Sequence, residues 1–275
     1  MTYATVMVHL ELGHSNAPIL RVAANLAETL HASLIGIAGS QLVPVNYNDT
    51  YISGDVVAEI AAEEAQQLTK VESEFRNSFL SSAGTVEWRS TLMCSSLPAF
   101  IATQARSADL VLTTAASSDM ADSVRVAEAG ELILQIGRPV LCVPGTAQPP
   151  NLDSVILAWK ESREARRAAL DALPLLKLAR QVAVVELAED DELNAAQKRV
   201  DDVGSWLNRH GVSAECRVLR SLGDEAQQLI DIATNRGAGV IVAGAYGHSR
   251  LREFVFGGVT RALLSNTECC SLLSH

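Results

Sequence analysis

The chain has 275 residues, 48% of them hydrophobic and 20% charged, with a formal net charge of −10. That length and apolar content suit one large domain or two ordinary ones with a sizeable core. The acidic balance argues against nonspecific nucleic-acid binding, which needs Lys and Arg to displace counterions, and against docking on anionic lipid.

Met1-Thr2-Tyr3 lacks a basic leader, and the apolar run behind it is interrupted at His9 and Glu11, so no signal peptide is expected. No stretch of about 18 apolar residues exists, so no membrane span is expected. The five cysteines, Cys94, Cys142, Cys216, Cys269 and Cys270, are odd in number and contain no C-x-x-C pair. They form neither a disulfide framework nor a zinc site and fit a reducing cytoplasm. Cys269-Cys270 reads as a small pair entering a buried strand.

In chain order, Val6 to Leu10 reads as a buried strand, followed by a polar turn from Glu11 to Asn16. Ile19, Val22, Ala23, Leu26, Ala27 and Leu30 recur at helical spacing. Ser33 to Ile37 reads as a second strand. Gly39 to Asp55 is a long insertion, able to serve as a lid. Val57, Ile60, Glu64, Leu68, Val71, Phe75 and Phe79 predict a long amphipathic helix with one polar position on its apolar face. Its other acids, Glu59, Glu63, Glu72 and Glu74, read together with Glu64 as a solvated set. Val86 to Arg89 is a third strand, Leu97 to Thr114 a helix and a fourth strand, and Pro139 to Val143 a fifth.

The segment Pro144 to Asp153 is a linker, and the pattern then repeats. Val155 to Trp159 is a strand and Lys160 to Arg163 a polar turn. Ala165, Ala168, Ala169, Ala172, Leu173 and Leu176 predict one helix. Val182 to Val185, a helix around Leu193 to Leu207, and Ala214 to Val218 follow. Gln227 to Gly244 matches Leu97 to Thr114, and Cys270 to Ser274 matches the first half's fifth strand. Two tandem α/β units are expected, at 1–146 and 152–275, each a doubly wound, Rossmann-like parallel sheet. Their fifth strands are candidate pairing edges, within the chain or between chains.

Ligands of such folds sit outside the carboxyl ends of the strands. There the second half carries Gly244-x-x-Gly247, nine residues, then Gly257-Gly258. Glycines in that position let backbone N–H groups approach an anion. Ser249 can cap a helix, and His248, Arg250 and Arg252 add positive charge. No Walker P-loop occurs, and Gly237-x-Gly239 precedes its strand instead of following it, so it is no dinucleotide fingerprint.

The chain resembles the universal stress protein family in its tandem form. The family motif G-x-x-G, nine residues, G-[ST] falls on Gly244, Gly247 and Gly257. "AWKESREARRA" from Ala158 and "GDEAQQLIDIA" from Gly223 resemble the family's first strand, turn and helix, and its glycine-led fourth helix. The resemblance implies an adenine nucleotide alpha hydrolase-like fold, and binding of ATP or a related nucleotide for part of the family. The implied site comprises Ala158, Trp159 and Lys160, then Val185 and Gly223, then Gly244, Gly247, His248 and Ser249, and finally Gly257, Gly258, Val259 and Thr260. Two positions depart from the pattern. Gly258 replaces the family's Ser or Thr, with Thr260 or Ser249 as substitutes. Lys160 replaces the Asp of ATP-binding members, which argues against a Mg-dependent site and offers a point charge to phosphate.

In the first half Thr114, Ser117, Val126, Ala127 and Met93 stand opposite Gly244, Gly247, Gly257, Gly258 and Gly223. No nucleotide site of the second half's type is expected there. His9 and His14 lack metal-ligand companions and read as packing or solvated. Trp206 reads as core, and Trp159 as either a stacking platform or a packing residue. Three functions remain open: a nucleotide-binding stress or signalling protein without efficient catalysis, a slow nucleotide-hydrolysing enzyme, and an adaptor with an empty site. A homodimer is possible under each.

Overall fold

A computed structural model describes residues 2–41, 54–80, 84–115, 129–145, 151–247, 258–265 and 268–275. The first half contributes strands β1 (Thr5–His9), β2 (Ser33–Gln41), β3 (Val86–Cys94), β4 (Leu110–Thr114) and β5 (Val140–Val143). Helices α1 (Ala17–Leu30), α2 (Gly54–Ser78), α3 (Leu97–Gln104) and α4 (Ala129–Ile136) connect them. The second half contributes β6 (Ser154–Trp159), β7 (Gln181–Ala188), β8 (Ala214–Arg220), β9 (Val240–Gly244) and β10 (Cys270–Ser274). Its helices are α5 (Arg163–Asp171), α6 (Leu173–Leu178), α7 (Leu193–Arg209), α8 (Glu225–Asn235) and α9 (Gly258–Leu264).

The strands form one ten-stranded sheet in the order β3-β2-β1-β4-β5-β10-β9-β6-β7-β8. All pairings are parallel except β5–β10, whose antiparallel register sets Cys142 opposite Ser271 and Val140 opposite Leu273. The fifth strands therefore pair within the chain. The central strands are almost wholly buried, as expected of a parallel sheet covered on both faces. One face carries α1, α2, α5, α6 and α7 around Val8, Leu26, Phe75, Leu157 and Val200; the other carries α3, α4, α8 and α9 around Met7, Ile101, Ile133, Ile241 and Leu263.

The halves also touch beyond the seam. On one face the Tyr3 hydroxyl donates to the Asp171 carbonyl at the end of α5. On the other, Tyr246 reaches α4: a Cβ on Gly130 would stand 2.5 Å from the Tyr246 hydroxyl oxygen.

Four expectations need correction. β2 runs on through Gly39 and Ser40 to Gln41, because Ser40 is buried and its Oγ accepts the Met93 N–H at 3.1 Å. α2 takes up Gly54 and Asp55, so of the expected insertion only 42–53 lie outside the described residues. The helix expected from Ala165 to Leu176 breaks at Ala172, where α6 restarts with Pro174 in its first turn; proline is tolerated there because that N–H has no intrahelical partner. Glu64 is buried, with the apolar stripe of α2 and not with its solvated acids.

Cys142, Cys269 and Cys270 are buried, and burial pushes the Cys142 thiol up to about 12. Among the described residues, no helix is long and apolar enough to cross a membrane, and no three His, Cys, Asp or Glu side chains cluster to hold a metal.

Candidate functional site

In the second half the strand order reverses between β6, which runs on to β7, and β9, which runs on to β10. A pocket of ≈ 490 Å³ opens there, at the carboxyl ends of the strands. Its floor is apolar: Ala158, Val185, Leu187, Leu229 and Ala243. The rim is Lys160 to Ser162 after β6, Gly223 to Ala226 at the start of α8, Gly244, Tyr246 and Gly247 at the end of β9 and just past it, and Gly258 to Thr260 in α9.

Of the sequence-selected residues, Ala158, Trp159, Lys160, Val185, Gly223, Gly244, Gly247, Gly258, Val259 and Thr260 all line this pocket. His248, Ser249 and Gly257 lie outside the described residues, as do Arg250, Arg252, Ser117, Val126 and Ala127.

Local chemistry explains how the rim is held. Ser162 caps α5 by accepting the Ala165 N–H at 3.1 Å, and Asp224 caps α8 by accepting the Gln227 N–H at 3.0 Å. Gly223 enters that cap at φ 99°, a left-handed conformation that side chains resist. Met93, its counterpart, adopts φ 53° despite its side chain.

Gly244 is glycine for a reason other than ligand clearance. A Cβ there would stand 2.5 Å from the backbone N of Ala165, so α5 packs directly on the end of β9. The left-handed residue of the turn is Tyr246, at φ 60°, and not either flanking glycine. The Tyr246 N–H donates to Thr260 Oγ1 at 3.4 Å, which ties the turn to α9 and engages the hydroxyl expected to replace the missing Ser. Glu164 lies behind the turn, with Oε2 3.0 Å from the place a Gly247 Cβ would take. Burial pushes the Glu164 carboxyl up, but hydrogen bonds from Arg163, its own backbone and Ser162 outweigh this and hold it below the usual range.

Trp159 is 8% exposed; it packs into the core on the α5 and α7 face, and its buried Nε1 has no hydrogen-bond partner. It is thus a packing residue at the pocket edge. Beside it on β7, Glu186 pairs with Arg199 of α7. Trp206 is partly buried against the same core and meets the His210 ring edge-on at 4.6 Å. Lys160, 58% exposed, pairs with Glu225 at 3.5 Å across the rim. Glu161, Asp224, Glu225 and Tyr246 were not singled out from the sequence; Asp224 directly after Gly223 was the visible signal of a helix cap.

The equivalent strand ends of the first half carry different side chains. By register, His9 stands where Ala158 stands and Thr113 where Ala243 stands. Both are buried, and His9 Nδ1 and Thr113 Oγ1 are hydrogen-bonded at 3.0 Å. Thr114 aligns with Gly244 in the same register.

Comparison with known proteins agrees with this geometry. The universal stress protein family model matches residues 157–273. A universal stress protein from Archaeoglobus fulgidus DSM 4304 superposes with a TM-score of 0.73 at 10% identity, covering 98% of both chains. A provisionally named universal stress protein from Pseudomonas aeruginosa UCBPP-PA14 gives 0.61 at 17% identity, covering 99% of this chain and 93% of its own. Comparison with curated proteins yields no significant match. Residues 157–273 thus match the universal stress protein family model, and the whole chain shares the fold of the Archaeoglobus fulgidus protein.

Proposed function

We propose that the second half binds ATP or a related adenine nucleotide in the pocket between β6, β9, α8 and α9, and that occupancy serves a stress or signalling role without efficient catalysis. One observation carries this reading. An apolar-floored ≈ 490 Å³ cavity with Gly223, Gly244, Gly247 and Gly258 on its rim lies at the strand-order reversal. Such a cavity accepts a flat base between apolar side chains and leaves the phosphates at a glycine-rich edge. Gly244 and Gly247, the first two glycines of the family motif that the sequence resembles, lie on that edge. Five cysteines, an odd number with no C-x-x-C pair, suit a cytoplasmic setting. The first half, with His9 and Thr113 filling its strand ends, acts as the structural partner.

Denaturing freshly purified protein and identifying any released nucleotide tests the reading directly. In thermal shift, ATP, ADP or AMP at 100 times its Kd adds about 2.7 kcal/mol of stability. No released nucleotide, and no shift at millimolar concentration with or without Mg²⁺, would leave an adaptor in place of a binding protein.

A further inference from the structure

Lys160 and Glu225 stand on opposite walls of the pocket. Lys160 follows the last residue of β6, and Glu225 is the first residue of α8. Their side chains meet at 3.5 Å, 58% and 32% exposed, so the contact closes part of the mouth without burying either charge. A pair this exposed is weak and opens readily.

Glu225 has a second source of support: it lies in the first turn of α8, where the helix dipole favours a carboxylate. Lys160 has no other ion-pair partner among the described residues. Breaking the bridge therefore leaves Glu225 favourably placed and Lys160 seeking an anion. The neighbouring carboxylates offer no substitute. Glu161 is held by Arg166, and Asp224 accepts the Gln227 N–H.

We infer that Lys160 is the specificity-determining residue of this pocket: it selects ligands that carry phosphate, and Glu225 occupies it until such a ligand arrives. Resting on the nucleotide reading above, this adds which part of the ligand is sensed and by what exchange. A phosphate oxygen replaces the Glu225 carboxylate on the Lys160 ammonium, and a ligand lacking phosphate leaves the bridge closed. Lys160 acts as a compact point charge, suited to phosphate without a bridging metal.

The test measures Kd for adenosine, AMP, ATP and inorganic pyrophosphate with wild type, Lys160→Met and Glu225→Gln, all without divalent metal. Lys160 is exposed, Glu225 is partly exposed and Gln keeps its shape, so neither substitution threatens folding. Lys160→Met is expected to weaken AMP and ATP about tenfold or more while leaving adenosine unchanged, since a charge-assisted hydrogen bond is lost. Glu225→Gln is expected to tighten AMP and ATP, because the competing carboxylate is gone. Equal losses for adenosine and AMP, or weaker AMP binding by Glu225→Gln, would overturn the inference while leaving nucleotide binding intact. Should wild type bind pyrophosphate in a Lys160-dependent way but no nucleoside or nucleotide, the nucleotide reading falls and the anion-selecting lysine stands. Binding of none of the four overturns both.

Discussion

His9 Nδ1 lies 3.0 Å from Thr113 Oγ1, and this pair fills the space that Ala158 and Ala243 leave open in the other half. The two halves share a backbone and differ in what stands on two adjacent strands at one level. Replacing both His9 and Thr113 with Ala should hollow out the first half. The expected loss is about 2–4 kcal/mol from the cavity and the broken hydrogen bond. Urea unfolding gives that loss, and a crystal of the variant under xenon should show a new site between β1 and β4.

His9 also sets a pH dependence. Burial lowers its imidazole from the ordinary 6.5 to about 4. The unfolded chain therefore takes up the proton first. Stability from this group is complete above about pH 6.5 and declines as the pH falls toward about 4, by about 3 kcal/mol in all. A His9→Gln variant lacks this component. The advantage of wild type over that variant in urea midpoints is expected to shrink steadily from pH 7 to pH 4.

The rim glycines should respond differently to substitution. Gly244→Ala puts a methyl 2.5 Å from the Ala165 backbone nitrogen, which cannot yield without moving α5. The expected cost is about 1–3 kcal/mol, read from thermal or urea unfolding. Among the described residues a Cβ at Gly258 meets nothing within 4 Å, so Gly258→Ser should change stability by less than about 0.5 kcal/mol. That variant supplies the hydroxyl of the family pattern and, under the proposed nucleotide binding, should bind ATP more tightly than wild type in a Kd titration.

A double-mutant cycle can show whether the halves are coupled through Tyr246. Gly130→Ala alone drives a methyl against the Tyr246 hydroxyl, 2.5 Å away, while the ring carbon bearing it is 3.8 Å distant. Tyr246→Phe removes the clash. Gly130→Ala is expected to destabilise by about 1–3 kcal/mol, and the pair to recover most of that loss, a coupling energy well above zero. Additive effects would show that α4 gives way instead.

Much of this was written in local patterns. Apolar spacing marked nearly every strand and helix, since a buried parallel strand leaves a short continuous apolar run and an amphipathic helix an apolar stripe at three and four spacing. Gly244 and Gly247 after their strand, Gly258 at a helix start, and Gly223 and Lys160 through the family resemblance all pointed to residues that line the pocket. What was hidden depends on distance along the chain. The fit of α5 against Gly244 joins residues some eighty positions apart, and Tyr246 against Gly130 joins the two halves. Trp159 follows the same rule: either orientation satisfies the strand pattern, and only the packing of α5 and α7 decides between them. The break before Pro174 was hidden differently, because helical spacing continues across it unchanged.

The antiparallel seam of β5 and β10 has one more effect. Both of its strands belong to the same polypeptide, so dilution cannot separate them, and the tether keeps each at a high effective concentration for the other. Sheet growth through added strands is left to the outermost members, β3 and β8, where Glu87 with Arg89 and Glu215 with Arg217 line the margin with opposed charges. A visiting strand would have to accommodate those charges before gaining a single backbone bond, which disfavours polymerisation.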